Sequence, residues 1–179
     1  MALPERVRIL HLPGDHTGSI GSFAEGAFIA DTGPCYPSSS PGPGSGPHDL
    51  AASALHYLVL HLFDHDGAHL RSDVELHPWE GTDIGACGCA RRPRSDRPSA
   101  RWQAVSEALP DRRTGDVAVR PFRFRREGVD FGLFDESGPG RGDVAVLYPG
   151  GLTFRPPWLG DYECHHRAVP GSTPTGDGA

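Results

Sequence analysis

The chain of 179 residues has no lysine, no asparagine, a single glutamine (Gln103) and only four isoleucines (Ile9, Ile20, Ile29, Ile84). All 17 of its basic residues are arginine. Without an ammonium on a flexible stem, Schiff-base catalysis and a lysine-bearing phosphate loop are both excluded. The depleted residues are largely those with AT-rich codons, so the composition is that of a GC-rich, bacterial-type genome. Long apolar runs are also absent. The run Leu58-Val59-Leu60 is interrupted by His61 and is far too short to span a bilayer. The start Met1-Ala2-Leu3-Pro4-Glu5 lacks the cationic and apolar regions of a signal peptide. A soluble, cytoplasmic protein with no membrane partner is expected, its four cysteines held as free thiols.

The net charge is −6, unevenly spread. Residues 1–89 carry three arginines against eleven acids, and residues 90–113 carry seven against three. An acidic chain lacks the dominant positive field that nucleic-acid binding needs. The arginine run Arg91, Arg92, Arg94, Arg97 and Arg101 is broken by proline and serine, which marks a solvated connector.

Established catalytic signatures are missing as well. No serine sits in a Gly-x-Ser-x-Gly elbow. His61 and His65 are spaced as paired ligands on a helix, with His69 beyond, but the intervening Leu62-Phe63-Asp64 omits the glutamate that metalloproteases use as general base. The triplet Arg141-Gly142-Asp143 lies in a glycine-rich stretch and reads as a turn.

What the chain does have is a pattern used twice. Leu76-His77-Pro78-Trp79-Glu80-Gly81 leads to Cys87-Gly88-Cys89, and Phe154-Arg155-Pro156-Pro157-Trp158-Leu159-Gly160 leads to Cys164-His165-His166. Thiolates and neutral imidazoles suit zinc, so Cys87, Cys89, Cys164 and either His165 or His166 form a candidate tetrahedral site, structural or hydrolytic. The Cys-x-Cys spacing is one residue shorter than the usual zinc pair. Proline ending a strand and glycine permitting a turn explain the corners equally well, with Trp79 and Trp158 closing the core or lining a small-molecule pocket.

For the architecture, Val7 and Ile9 alternate as a first strand, and Ala27-Phe28-Ile29-Ala30 suggests a second. Residues 33–47 form a Pro/Gly/Ser loop. Pro47, Asp49 and the apolar series Ala51, Ala54, Leu55, Leu58, Val59, Leu62 then predict a main helix over about 47–65, stopped by Asp66-Gly67. Val74 and Leu76 form a strand ended by Pro78. Residues 85–100 are an Arg/Pro connector, and Ser99 caps a shorter predicted helix to Leu109 that buries Trp102, Val105 and Leu109. Gly115-Asp116-Val117-Ala118-Val119 and Gly142-Asp143-Val144-Ala145-Val146 open two further strands. Phe122-Arg123-Phe124-Arg125 and Val129, Phe131, Leu133 alternate about Glu127-Gly128 as a hairpin.

The expectation is an α+β fold with a mixed or mostly antiparallel sheet, compact over residues 1–167, with a disordered tail at 168–179. The expected function is binding or regulation through a protein or small-molecule partner without catalysis. The alternative is the zinc protein of the two corners.

Overall fold

The computed structural model describes residues 3–11, 20–35, 55–78, 104–105 and 107–162. Among these described residues twelve strands form three antiparallel sheets. In chain order they are β1 (Val7–Ile9), β2 (Ile20–Phe23), β3 (Gly26–Cys35), β4 (Leu55–Phe63), β5 (His69–Pro78), β6 (Arg113–Thr114), β7 (Val117–Val119), β8 (Phe122–Arg126), β9 (Val129–Asp135), β10 (Ala145–Tyr148), β11 (Leu152–Arg155) and β12 (Leu159–Tyr162).

One five-stranded sheet runs β5-β4-β3-β2-β6 and the other runs β12-β11-β10-β9-β8. They pack face to face. One core cluster unites Ile20, Ile29 and Phe63 of the first sheet with Leu133, Ala145, Leu147, Leu152 and Phe154 of the second. Val7 and Ile9 of β1 and Val117 and Val119 of β7 are buried in the same cluster, so the two-stranded β1-β7 sheet closes part of the sandwich. A second cluster joins Tyr57, Val59 and Val74 to Val129 and Phe131.

The predicted α+β class is overturned. The helix expected over 47–65 is, for its described part, the strand β4, in register with β3 from Ala27↔Phe63 to Cys35↔Leu55; residues 47–54 lie outside the described residues. The reason lies in burial. After Leu55, which is partly exposed, every residue of β4 is buried, because both faces are covered. A strand covered on both faces loses the alternation that normally identifies it, and its apolar run also satisfies helical spacing. Asp66-Gly67, expected to stop a helix, instead lies in the β4–β5 hairpin turn. There Asp64 Oδ1 accepts from the backbone N–H groups of Asp66 (2.9 Å) and Ala68 (2.8 Å), and Gly67 takes φ 74°.

Of the shorter helix expected over 99–109, residues 99–103 and 106 lie outside the described residues. Ala104, Val105 and Glu107 are helical, with the Ala108 N–H donating to the Ala104 carbonyl at 3.1 Å. Val105 and Leu109 do pack inward, against Phe23, Phe28, Ala30, Leu60 and Leu62 on the outer face of the first sheet. β3 also continues through Gly33–Cys35, where a loop was expected. The remainder of that loop, the connector at 85–100 and the tail at 168–179 lie outside the described residues.

Other expectations hold. β1, the core of β3, the strand through Val74 and Leu76 and the β8–β9 hairpin are present. The hairpin turns on Glu127 (φ 50°) and Gly128 (φ 80°), the left-handed pair of a two-residue connection. The Arg141-Gly142-Asp143 triplet sits at a turn closed by a Gly138↔Gly142 bridge, with Arg141 paired to Glu136 at 3.1 Å. No helix among the described residues is long and apolar enough to cross a membrane.

Candidate functional site

Because successive residues of β5 face opposite sides of the sheet, Arg71 and Asp73 lie on the outer face and Ser72 on the inner one. The two faces present different chemistry.

On the inner face the β4–β5 register is interrupted. Leu62 pairs with Arg71 and Phe63 with His69, so Leu70 is an extra residue and is 53% exposed. Such a bulge re-aims the side chains beside it. Without it, residues three apart on β5 would face opposite sides; with it, His69 and Ser72 both turn inward, opposite Phe63 and His61. Ser72 Oγ consequently lies 2.7 Å from His61 Nδ1 and 2.7 Å from His69 Nε2.

β5 and β8 are each at the edge of their own sheet, and the rings of β8 cover this cluster. His69 stacks on Phe122 with centroids 4.3 Å apart and planes 15° apart, and lies nearly parallel to Phe124 at 5.8 Å. His61 meets Phe122 edge-on at 4.9 Å. Surrounded in this way, His61 is completely buried, and its Nε2 has no hydrogen-bond partner among the described residues.

Burial disfavours the charged imidazolium. It pushes His61 down to about 3, with the neighbouring His69 adding to the effect. It also lowers His69, partly offset by a hydrogen bond to the Arg71 backbone. Both rings are therefore neutral at pH 7. A neutral imidazole has one N–H and one lone pair. His61 Nε2 has no partner among the described residues, and an orphaned buried N–H is costlier than an orphaned lone pair, so the His61 proton belongs on Nδ1 and the serine hydroxyl proton is left for His69 Nε2. The Ser72 hydroxyl donates to His69 Nε2 and accepts from His61 Nδ1–H.

On the outer face, Leu60 forms the floor of a groove of about 540 Å³, with Ala104, Val105, Ala108 and Leu109 along one side and Arg71 and Asp73 along the other. Arg71 and Asp73 are 68% and 53% exposed and 3.8 Å apart, a weak ion pair that leaves both groups available to a ligand. Leu109 also borders a second hollow of about 600 Å³ lined by Glu107, Arg112, Arg113 and Thr114. Arg112 is held there with its guanidinium 5.4 Å from the Phe28 ring centroid.

The site residues expected from sequence fare unevenly. Cys87, Cys89, Cys164, His165 and His166, the expected zinc ligands, lie outside the described residues, as does Trp79. Among the described residues, which include none of these expected ligands, no group of three or more histidine, cysteine or acidic side chains could hold a metal ion. Cys35 is a free, buried thiol pushed up to about 12 by desolvation, and so an unreactive part of the core. Trp158 is described, at the turn between β11 and β12 with φ 69°, and packs partly buried against the main core cluster. This is the core-closing role of a corner tryptophan. The His61, His65 and His69 series is split: His65 is exposed in the β4–β5 turn, whereas His61 and His69 meet at 6.2 Å through a sheet register and not along a helix. Ser72, Arg71 and Asp73 were not among the site residues expected from the sequence. The signal available was Asp66-Gly67, a hairpin dipeptide with a histidine on either side.

Compared with protein-family models, with curated proteins and with solved structures, the chain matches none.

Proposed function

We propose that this β-sandwich is a binding module that takes a small, mainly apolar ligand in the groove between the helical turn and the outer face of β4 and β5. The observation that carries the reading is the groove's composition. Its floor and one wall are aliphatic, supplied by Leu60, Val105 and Leu109, and the opposite rim holds one cation and one anion, Arg71 and Asp73. Small-molecule sites are built in this way, as concave apolar surfaces of roughly 300–1,000 Å³ with a few polar groups that fix orientation. The apolar surface drives association, and the charged rim selects a ligand that carries a polar or ionised group.

The rigidity of the support favours the same reading. β4 is the second strand of its sheet, flanked by β3 and β5 over most of its length, so the floor is held in place before a ligand arrives. The test is a fragment screen by ligand-observed NMR on the native chain and on Ala108→Trp. Ala108 is exposed, and an indole there occupies the groove without entering the core. Fragments that bind the native chain and are lost from Ala108→Trp support the reading. Fragments that bind both proteins equally, or no binding to the native chain, would sink it.

A further inference from the structure

The geometry points to Ser72 as a nucleophile and His69 as its general base, forming an acyl-transfer site for esters with small apolar acyl groups on the inner side of the β5 edge. This goes beyond the groove, which lies on the opposite face of the same strand, and does not depend on it. Three features place the roles. Ser72 Oγ lies 2.7 Å from His69 Nε2, within the reach that a general base requires. His69 is in turn oriented by the Phe122 ring on which it stacks and by Phe124, which lies nearly parallel to it. A nucleophile, a base and a group that fixes the base form the constellation that activates serine in unrelated folds. His61 completes it as a positioning residue, since its Nδ1–H, 2.7 Å from Oγ, holds the hydroxyl oxygen in one rotamer.

The surroundings also suit the chemistry. Ser72 and His69 are only partly buried, so an electrophile can approach from the edge, whereas His61 is sealed. The nearest walls are the partly exposed Phe122 and Phe124, which favour an apolar acyl group. Because burial lowers His69, the base is not lost to protonation at neutral pH.

The step balances without any further reagent than the ester and water. As the bond from Oγ to the acyl carbon forms, the hydroxyl proton passes to His69 Nε2. The ester's carbon–oxygen bond breaks, and the departing alkoxide takes that proton and leaves as the alcohol. Water then attacks the acyl-serine, giving one proton to His69, and the carboxylic acid departs as Oγ regains its proton.

The test uses the full chain with an alkyl fluorophosphonate, which forms an Oγ–P bond with loss of fluoride, and with p-nitrophenyl acetate. Intact and peptide mass spectrometry then locate the adduct. The expected result is a single adduct at Ser72, absent from Ser72→Ala and from chain unfolded in guanidinium. His69→Ala should form it at least about 100-fold more slowly, the lower end of general-base contributions. His61→Gln, which retains a donor, should form it at a rate between the two. If Ser72→Ala fails to fold, Ser72→Cys replaces it. Its thiol should react with iodoacetamide at pH 7 faster than the same residue in a His69→Ala background, because the imidazole supplies the thiolate. No adduct at Ser72, or labelling there indifferent to His69→Ala, overturns the assignment.

Discussion

The Tyr57 hydroxyl donates to Asp31 Oδ2 at 2.6 Å, a buried contact between β4 and β3 made diagonally across the sheet. Tyr57 is in register with Gly33, and an added Cβ at Gly33 would lie 3.3 Å from the phenol. The ring therefore lies over the glycine and reaches Asp31, which is itself in register with Val59. Gly150, at the β10–β11 turn of the opposite sheet, rests on both side chains. Tyr57 also meets Phe131 edge-on at 6.1 Å, so one residue makes a polar contact within its own sheet and an aromatic contact across to the other.

Tyr57→Phe keeps the ring and its contact with Phe131 but leaves Asp31 without its phenolic donor. The expected cost is about 1–3 kcal/mol in chemical denaturation at constant m-value, the range for a lost partner of a buried polar group.

Gly150→Ala sets a methyl against the Tyr57 hydroxyl and 2.7 Å from Asp31 Oδ2. Overpacking of this kind costs about 1–3 kcal/mol. In the double variant with Tyr57→Phe the two losses should sum to more than the measured total, because removing the hydroxyl relieves part of the crowding. Strict additivity in the cycle contradicts the contact.

Glu127→Asn should stabilise the protein. Glu127 occupies φ 50° ahead of Gly128 in the β8–β9 turn, where asparagine is the preferred residue. Its ion pair with Arg126 is long, at 3.8 Å, and exposed, so little is lost with it. A gain of roughly 0.5 kcal/mol, read as a raised denaturation midpoint, is the expected outcome.

Stability should fall in mild acid because of His61. Its folded value of about 3 lies below the unfolded 6.5, so between these values the unfolded chain binds the extra proton. Stability is therefore fully present above pH 6.5 and is lost as pH falls, with a slope of up to about 1.4 kcal/mol per pH unit from this group. His69, also lowered, adds to the same limb. Denaturation midpoints measured from pH 7 to 4 should decline steeply for the native chain and less steeply for His61→Leu. Parallel slopes contradict the burial of a neutral His61.

The sequence made the strands legible wherever one face is exposed. Phe122-Arg123-Phe124-Arg125 alternates because the phenylalanines turn toward the sheet interface and the arginines toward solvent, and β9 answers across a recognisable turn. β4 was illegible for the opposite reason. His56 and His61 are both buried within it, so polar residues there no longer report exposure. With alternation gone, the spacing of leucines resembled a helix, and tertiary pairing to β3 and β5 decided otherwise. The site depended on that error. His61 and His69 were visible as a pair of chemistry-bearing residues, but their meeting point at Ser72 is created by a bulge at Leu70, and a single extra residue leaves no mark in a hydrophobic pattern. Arg71 and Asp73 read as ordinary exposed charges, since nothing local shows that a helical turn some thirty residues later stands beside them.

The binding reading is tested most directly by methyl NMR of the leucine- and valine-labelled chain during titration with fragments that bind it. The methyls of Leu60, Val105 and Leu109 should shift together and saturably. Those of Leu133, Leu147 and Leu152, buried between the two sheets, should stay in place. Shifts confined to other positions, with Leu60 and Leu109 unmoved, would contradict it.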